Sequence, residues 1–306
     1  MMNQHVKAKR RDRGPKGRAL DDVALAEMQG LLQGLDLRRD LLIEFLHRIQ
    51  DTYGCLSAAH IRALGELMRL PQAEIYEVAS FYDHFDVVRE GEEAPPPLTI
   101  RVCESLPCML AGSEALMEAL EAEGDASLMR IVRAPCMGRC AAAPAVRLGN
   151  REVDHATPQE VLSLARDGGF DVVVPDYINL HAYQEYGGYL LLERVRSGEI
   201  HTDELPEALS DAGLRGLGGA GFPAGKKWGF VKAHAGPRLM TINGDEGEPG
   251  TFKDRYLLES DPHRTLEGAL IAAHAVEAER IYFYMRDEYP AVLQILRTEI
   301  DALEAS

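Results

Sequence analysis

Residues 98–108 read LTIRVCESLPC, and residues 128–140 read LMRIVRAPCMGRC. In each stretch an alternating apolar run leads directly into a close pair of cysteines, Cys103-x4-Cys108 and Cys136-x3-Cys140, with 27 residues between the pairs. Such runs read as β-strands, and 113–123 between them has the spacing of a helix. Strand, helix and strand make a parallel pair, so both cysteine pairs are expected on loops at the same edge of one sheet. Four thiolates brought together in this way suit a binuclear iron-sulfur cluster, in which two bridged irons each take two thiolates and backbone N–H groups face the sulfurs. Pro107, Pro135 and Gly138 suit such loops.

Other readings of the four thiols are weaker. Structural zinc favours C-x2-C knuckles, which neither pair has, and disulfides are rare in a reducing compartment. Cys55, alone in a helical region, reads as a small buried apolar residue. The ten histidines show no paired spacing and read as surface or packing residues.

Working outward, 145–153 around Gly149-Asn150 reads as a hairpin, and a helix opened by Thr157-Pro158 closes at Gly168-Gly169. Upstream, 21–90 reads as a bundle of about four helices. Leu42, Ile43, Phe45, Leu46 and Ile49 recur at helical spacing, Gly54 stops that run, and Ser57 is placed to cap the next. The acidic, triple-proline stretch 91–97 reads as a linker, and 98–169 as a compact α/β unit. Residues 170–210 are less regular and read as a connector. From 211 the expectation is a partial, Rossmann-like parallel α/β domain: a glycine-dense loop, strand 238–242, an acidic loop to Asp254, helix 265–278, strand 281–285 and a last helix from Pro290.

The chain has 306 residues and a net charge of −16. Residues 1–18 hold seven basic side chains against one acidic one, so the other 288 carry −22. The first 20 residues read as a basic, disordered tail. An acidic body repels nucleic-acid phosphates, so no nucleic-acid partner is expected. No apolar stretch is long enough to cross a membrane, which excludes direct membrane insertion by a helix. No n-region leads into an apolar run, which points to the cytoplasm.

The glycine loop is Arg215-Gly216-Leu217-Gly218-Gly219-Ala220-Gly221-Phe222-Pro223-Ala224-Gly225-Lys226-Lys227-Trp228. Its missing side chains let a flat or phosphate-bearing ligand lie against the backbone. It contains G-x-G-x-x-G, but no strand precedes it and no helix clearly follows, so the ordinary dinucleotide context fails. The acidic loop, Asn243-Gly244-Asp245-Glu246-Gly247-Glu248-Pro249-Gly250-Thr251-Phe252-Lys253-Asp254-Arg255, follows a parallel strand, where ligands of open α/β sheets bind. By itself it reads equally well as a solvated, turn-rich surface loop.

The cysteine motifs, with 134–140 reading APCMGRC and Val78-Ala79-Ser80-Phe81-Tyr82 upstream, resemble the thioredoxin-like 2Fe-2S (E) component of bacterial NADH dehydrogenase over 36–168. The two loops resemble the FMN and NADH site of the flavoprotein (F) component, and of the diaphorases of NAD-linked hydrogenases and formate dehydrogenases, over 211–300. The resemblance implies a 2Fe-2S cluster on Cys103, Cys108, Cys136 and Cys140, together with FMN and NAD(H). Gly216, Gly218, Gly219, Gly221 and Lys227 would line the FMN and NADH cleft, and Asn243, Asp245 and Glu246 would hold FMN. Phe222 and Phe230 would flank the nicotinamide, and Glu248 would approach the nucleotide. Leu217 stands where that family usually has arginine. This variant and Asn243-Gly244-Asp245 lean toward formate dehydrogenase diaphorases.

The resemblance thus implies an electron-transfer subunit, whose partners would be iron-sulfur and substrate-oxidising subunits of a multi-subunit redox complex. No residue need act as a nucleophile. The family continues past the point matching Ser306 into a further flavin-enclosing segment and a 4Fe-4S site. The cluster is therefore expected intact in this chain and FMN poorly held or absent. The alternative is a 2Fe-2S carrier or assembly subunit without flavin chemistry.

Overall fold

The computed structural model describes residues 18–306 except 83 and 218, so most of the basic tail and the candidate ligand-loop residue Gly218 lie outside the described residues. The chain divides into two compact units, Met1–Pro97 and Leu98–Ser306.

The first unit carries helices α1 (Asp22–Leu31), α2 (Leu42–Tyr53), α3 (Ala58–Met68) and α4 (Gln72–Phe81). Two-residue strands β1 (Leu56–Ser57) and β2 (Val87–Val88) pair in parallel. Local chemistry sets the helix ends. Asp21 caps α1 by accepting the N–H groups of Val23 and Ala24, both at 3.0 Å. Gly54 adopts the left-handed conformation that ends α2, and the Ser57 hydroxyl accepts the His60 N–H at 3.1 Å to start α3. Met28, Phe45, Leu46, Ile49, Leu64 and Ile75 are buried together as the core.

The second unit begins with β3 (Leu98–Cys103), α5 (Leu106–Leu110), α6 (Ser113–Glu123), β4 (Met129–Ala134), β5 (Val146–Leu148), β6 (Arg151–Val153) and α7 (Pro158–Asp167). The sheet order is β4-β3-β5-β6; β3 and β4 run parallel, and the other neighbours are antiparallel. Leu98, Ile100 and Val102 alternate inward against Leu116, Leu120 and Val161. Thr157 caps α7, Pro158 stands in its first turn, and Gly168 ends it in the left-handed region.

Residues 170–210 depart from the expected irregular connector. They form α8 (Leu180–Glu185), α9 (Leu190–Arg196) and α10 (Glu204–Asp211). At six to eight residues each, these helices are too short for an apolar period to stand out. Beyond them come α11 (Ala224–Lys232), β7 (Arg238–Gly244), α12 (Lys253–Ser260), α13 (Pro262–Val276), β8 (Ala278–Met285) and α14 (Pro290–Glu304), with β7 and β8 parallel. A helix does follow the glycine loop, contrary to the sequence reading. Its two glycines and adjacent lysines hide it from propensity arguments. Helix α12 carries no apolar signal because its sequence, KDRYLLES, is mostly polar.

Buried polar groups tie α8 and α9 to the later helices. Glu267 on α13 accepts the Tyr183 hydroxyl at 2.6 Å and the Leu192 N–H at 3.2 Å. Glu299 on α14 accepts from Tyr177, from the Leu180 N–H and from His263 Nε2. With Nε2 protonated toward that carboxylate, His263 Nδ1 accepts the Tyr189 hydroxyl at 2.7 Å. Burial pushes the Glu299 carboxyl up, but the three donors more than reverse this and hold it below its usual range. Among the described residues, no helix is long and apolar enough to cross a membrane. Glu267→Ala strands a buried hydroxyl and a buried amide, so the full chain is expected to lose on the order of 2–4 kcal/mol. Chemical denaturation of the two proteins measures that loss.

Candidate functional site

Cys103 is the last residue of β3, and its register partner on β4 is Ala134. Cys136 follows β4 after one intervening proline, so the parallel register alone brings the two pairs to one end of the sheet. Cys108 lies on the short helix α5 rather than on a loop, and Cys140 begins a 3-10 turn. All four are free thiols, three of them buried. Cys136 Sγ and Cys140 Sγ are 3.4 Å apart, well beyond a disulfide bond. The disulfide reading therefore falls.

Backbone amides face the sulfurs. Gly138 N–H points at Cys136 Sγ at 3.4 Å, and Gly250 N–H at Cys140 Sγ at 3.1 Å. Cys103 accepts from the Cys108 thiol and from the amides of Ser105 and Met137, which outweighs burial and brings it down to about 6. The same thiol bond, then burial, pushes Cys108 up, although the Ala145 amide opposes this; burial likewise raises Cys136. The Met137 amide thus joins the loop of the second pair to a sulfur of the first. Four convergent thiols with an amide on every sulfur fit a 2Fe-2S cluster.

The loop between Cys136 and Cys140 is held from the later part of the chain. Gly138 has φ +70°, and a Cβ there would lie 2.2 Å from the Tyr289 hydroxyl. Arg255 Nε donates to Gly138 O at 3.0 Å. Arg286 donates to Cys136 O and to Glu246 O, each at 2.6 Å. Arg139, inside the second pair, reaches Asp154, Glu152 at 2.8 Å and Glu259 at 3.5 Å. Sequence reasoning missed Arg286 and Tyr289, single residues that carry no motif, and quoted Arg255 only as the last residue of the acidic loop, without a role.

The acidic loop and part of the glycine loop meet at an open cleft of about 1170 Å³. Leu217, Gly219, Asn243, Asp245, Glu246, Glu248 and Gly250 line it, with Tyr256 as an addition that no sequence motif marks. Gly219 and Gly221 have φ of +90° and +59° with open space where a side chain would stand. Such a cradle admits a flat or phosphate-bearing group. Asn243 spends its side-chain oxygen on the Asp245 N–H at 3.0 Å. Glu246 is buried, and its carboxylate caps α12 through the N–H groups of Asp254 and Arg255 and accepts the Tyr289 hydroxyl at 3.3 Å. Asp245 and Glu248 remain exposed.

The structure does not gather every expected cleft residue. Lys227 lines a separate cavity of about 440 Å³ beside Trp228 and Leu239. Phe222 and Phe230 are both exposed, with ring centroids 6.2 Å apart. Gly216 and Gly221 are on the glycine loop but do not border the cleft.

Comparison with known proteins bears directly on this arrangement. The family described as thioredoxin-like 2Fe-2S ferredoxin matches residues 28–167, and the Nuo51 FMN-binding domain matches 209–306. The chain fuses an E-like to an F-like segment. The F 2 subunit of the NADH-quinone oxidoreductase of Rhizobium meliloti is 46% identical over 131 residues, covering 42% of this chain and 31% of that protein. The alpha subunit of the NAD-reducing hydrogenase HoxS of Cupriavidus necator is 27% identical over 297 residues, covering 87% of this chain and 48% of its own length. A crystal structure of an NAD+-reducing NiFe-hydrogenase in the H2-reduced state superposes with a TM-score of 0.69 at 28% identity, covering 87% of this chain and 48% of that one. The fused chain therefore spans about a third to a half of these relatives' length.

Two outcomes follow from these contacts. Gly138→Ala drives a methyl group into Tyr289 and is expected to destabilise the full chain by about 1–3 kcal/mol, read as a lower thermal midpoint. Burial, then Glu259, pushes the Glu152 carboxyl up to about 7 against Arg139, Arg147 and Arg255. A raised carboxyl favours folding while protonated, so that contribution is present below the ordinary glutamate range and is lost as pH rises through about 7. The stability difference between wild type and Glu152→Gln, measured by denaturation across pH 4–8, is expected to shift against the wild type as pH rises.

Proposed function

We propose that the chain is an electron-transfer segment of an NADH dehydrogenase-type, or diaphorase, module, in which Cys103, Cys108, Cys136 and Cys140 hold a 2Fe-2S cluster and the neighbouring cleft takes FMN and NAD(H). One contact carries the reading. The Gly250 N–H, on the loop that borders the cleft, points directly at Cys140 Sγ. The floor of the cleft is thus also a wall of the thiol cluster.

Bound FMN would supply the conversion between the two-electron nicotinamide couple and one-electron steps at iron. The chain's own residues position and exclude. Gly219 leaves the backbone bare toward the cleft, and Asp245 and Glu248 offer carboxylates to ribityl or ribose hydroxyls. Asn243 keeps its side-chain NH2 for a ligand, since only its oxygen is spent on the Asp245 amide. Leu217 adds an apolar wall in place of a charged one. Glu246 acts differently from the other acidic residues: it holds α12 in place and so shapes the cleft from beneath.

The partners we infer are iron-sulfur and substrate-oxidising subunits of a larger redox complex, such as a complex I, a hydrogenase or a formate dehydrogenase. A cytoplasmic setting fits the reading, because thiols that hold a cluster must be kept from forming disulfides.

Anaerobic reconstitution tests the reading. The full chain is expected to retain about two irons and two labile sulfides, and to show a paramagnetic signal on reduction that any one of the four Cys→Ser changes abolishes. With FMN added, NADH is expected to reduce the cluster. A chain that takes up no iron sinks the proposal, and a loaded chain that ignores FMN and NADH leaves a simple electron carrier in its place.

A further inference from the structure

We propose that Arg286 is a positioning residue through which the acidic loop sets the reduction potential of the cluster on the four thiols. The inference rests on the cluster reading above and concerns a residue to which that reading gives no role.

The Arg286 side chain is 8% exposed and every edge of its guanidinium is engaged. Nη2 donates to Cys136 O and Nη1 to Glu246 O, each at 2.6 Å, while Nε meets Glu288 at 3.2 Å. Its carbon lies 5.3 Å from the centre of the Tyr289 ring, the same ring that abuts Gly138. One rigid fork therefore joins the main chain of a cysteine ligand to the main chain of the acidic loop. A lysine carries the charge but lacks the planar geometry that spans both carbonyls.

The loop touches the second cysteine pair twice. At Glu246 the contact runs through Arg286 to Cys136, and at Gly250 the amide meets Cys140 Sγ at 3.1 Å. Glu246, Glu248 and Gly250 border the cleft. A shift of the loop changes both the amide donors and the positive charge around the sulfurs. Reduction adds negative charge to a cluster, so nearby donors and cations favour the reduced form and raise its potential. Glu288 partly offsets the arginine's field.

The test is a potentiometric titration of the reconstituted full chain, followed by the paramagnetic signal, with iron and sulfide measured on the same samples. Arg286→Met is expected to keep its iron while the reduced-to-oxidised ratio at fixed potential falls about tenfold, which is about 59 mV for a one-electron couple. Arg286→Lys is expected to fall between wild type and Arg286→Met. Glu288→Gln, which keeps the guanidinium and both its carbonyl contacts, is expected to shift the ratio the other way. An Arg286→Met protein with the wild-type potential overturns the proposal. Should that variant fail to load iron, Glu288→Gln decides: a potential unchanged or lowered overturns the proposal equally. A wild-type chain that never loads iron overturns the cluster reading itself, and this inference with it.

Discussion

Parallel pairing of β3 with β4 sets Cys103 opposite Ala134, and the whole thiol cluster depends on that register. A slip by one residue would turn every side chain of β4 to the opposite face and misdirect Cys136 two positions later. The register is held by apolar alternation on β3, where Ile100 and Val102 are buried, and by β5 on its other side. Packing of an ordinary sheet core is thus what brings four sulfurs to one place.

The second constraint is charge buried between the ferredoxin-like and flavoprotein-like parts of the second unit. Arg139 meets Glu152, Asp154 and Glu259, while Arg255 meets Glu259 at 2.7 Å and Gly138 O. Such networks contribute little net stability compared with apolar packing, because desolvation offsets the attraction, yet removing one partner is costly. Their consequence here is geometric. Carboxylates on β6 and α12 and a guanidinium inside the cysteine pair admit few alternative dockings, so the cluster loop and the cleft keep one relation to each other.

That relation explains why Glu246 behaves unlike its neighbours. Its position in an acidic loop suggests a ligand contact, but its carboxylate is consumed by the N-terminus of α12 and by Tyr289. An anion at a helix N-terminus satisfies amides that otherwise lack partners and meets the favourable end of the helix dipole. Asp245 and Glu248, with no such helix beneath them, stay open to the cleft.

Much was legible in the residues alone. The alternation of 98–102, the cap at Thr157, the stop at Gly168 and the cysteine spacing are local features, governed by backbone geometry and side-chain period, and they specify the α/β unit and its four thiols. Short helices α8 to α10 were not legible, because six to eight residues are too few for an apolar period, and α8 and α9 are held by Glu267 and Glu299 far along the chain. Nor could sequence place Lys227 apart from the cleft or bring Gly250 onto Cys140, 110 residues away. Local chemistry determines which groups are available to bind; only the folded chain decides which of them share a site, because contacts between remote segments depend on how whole elements pack.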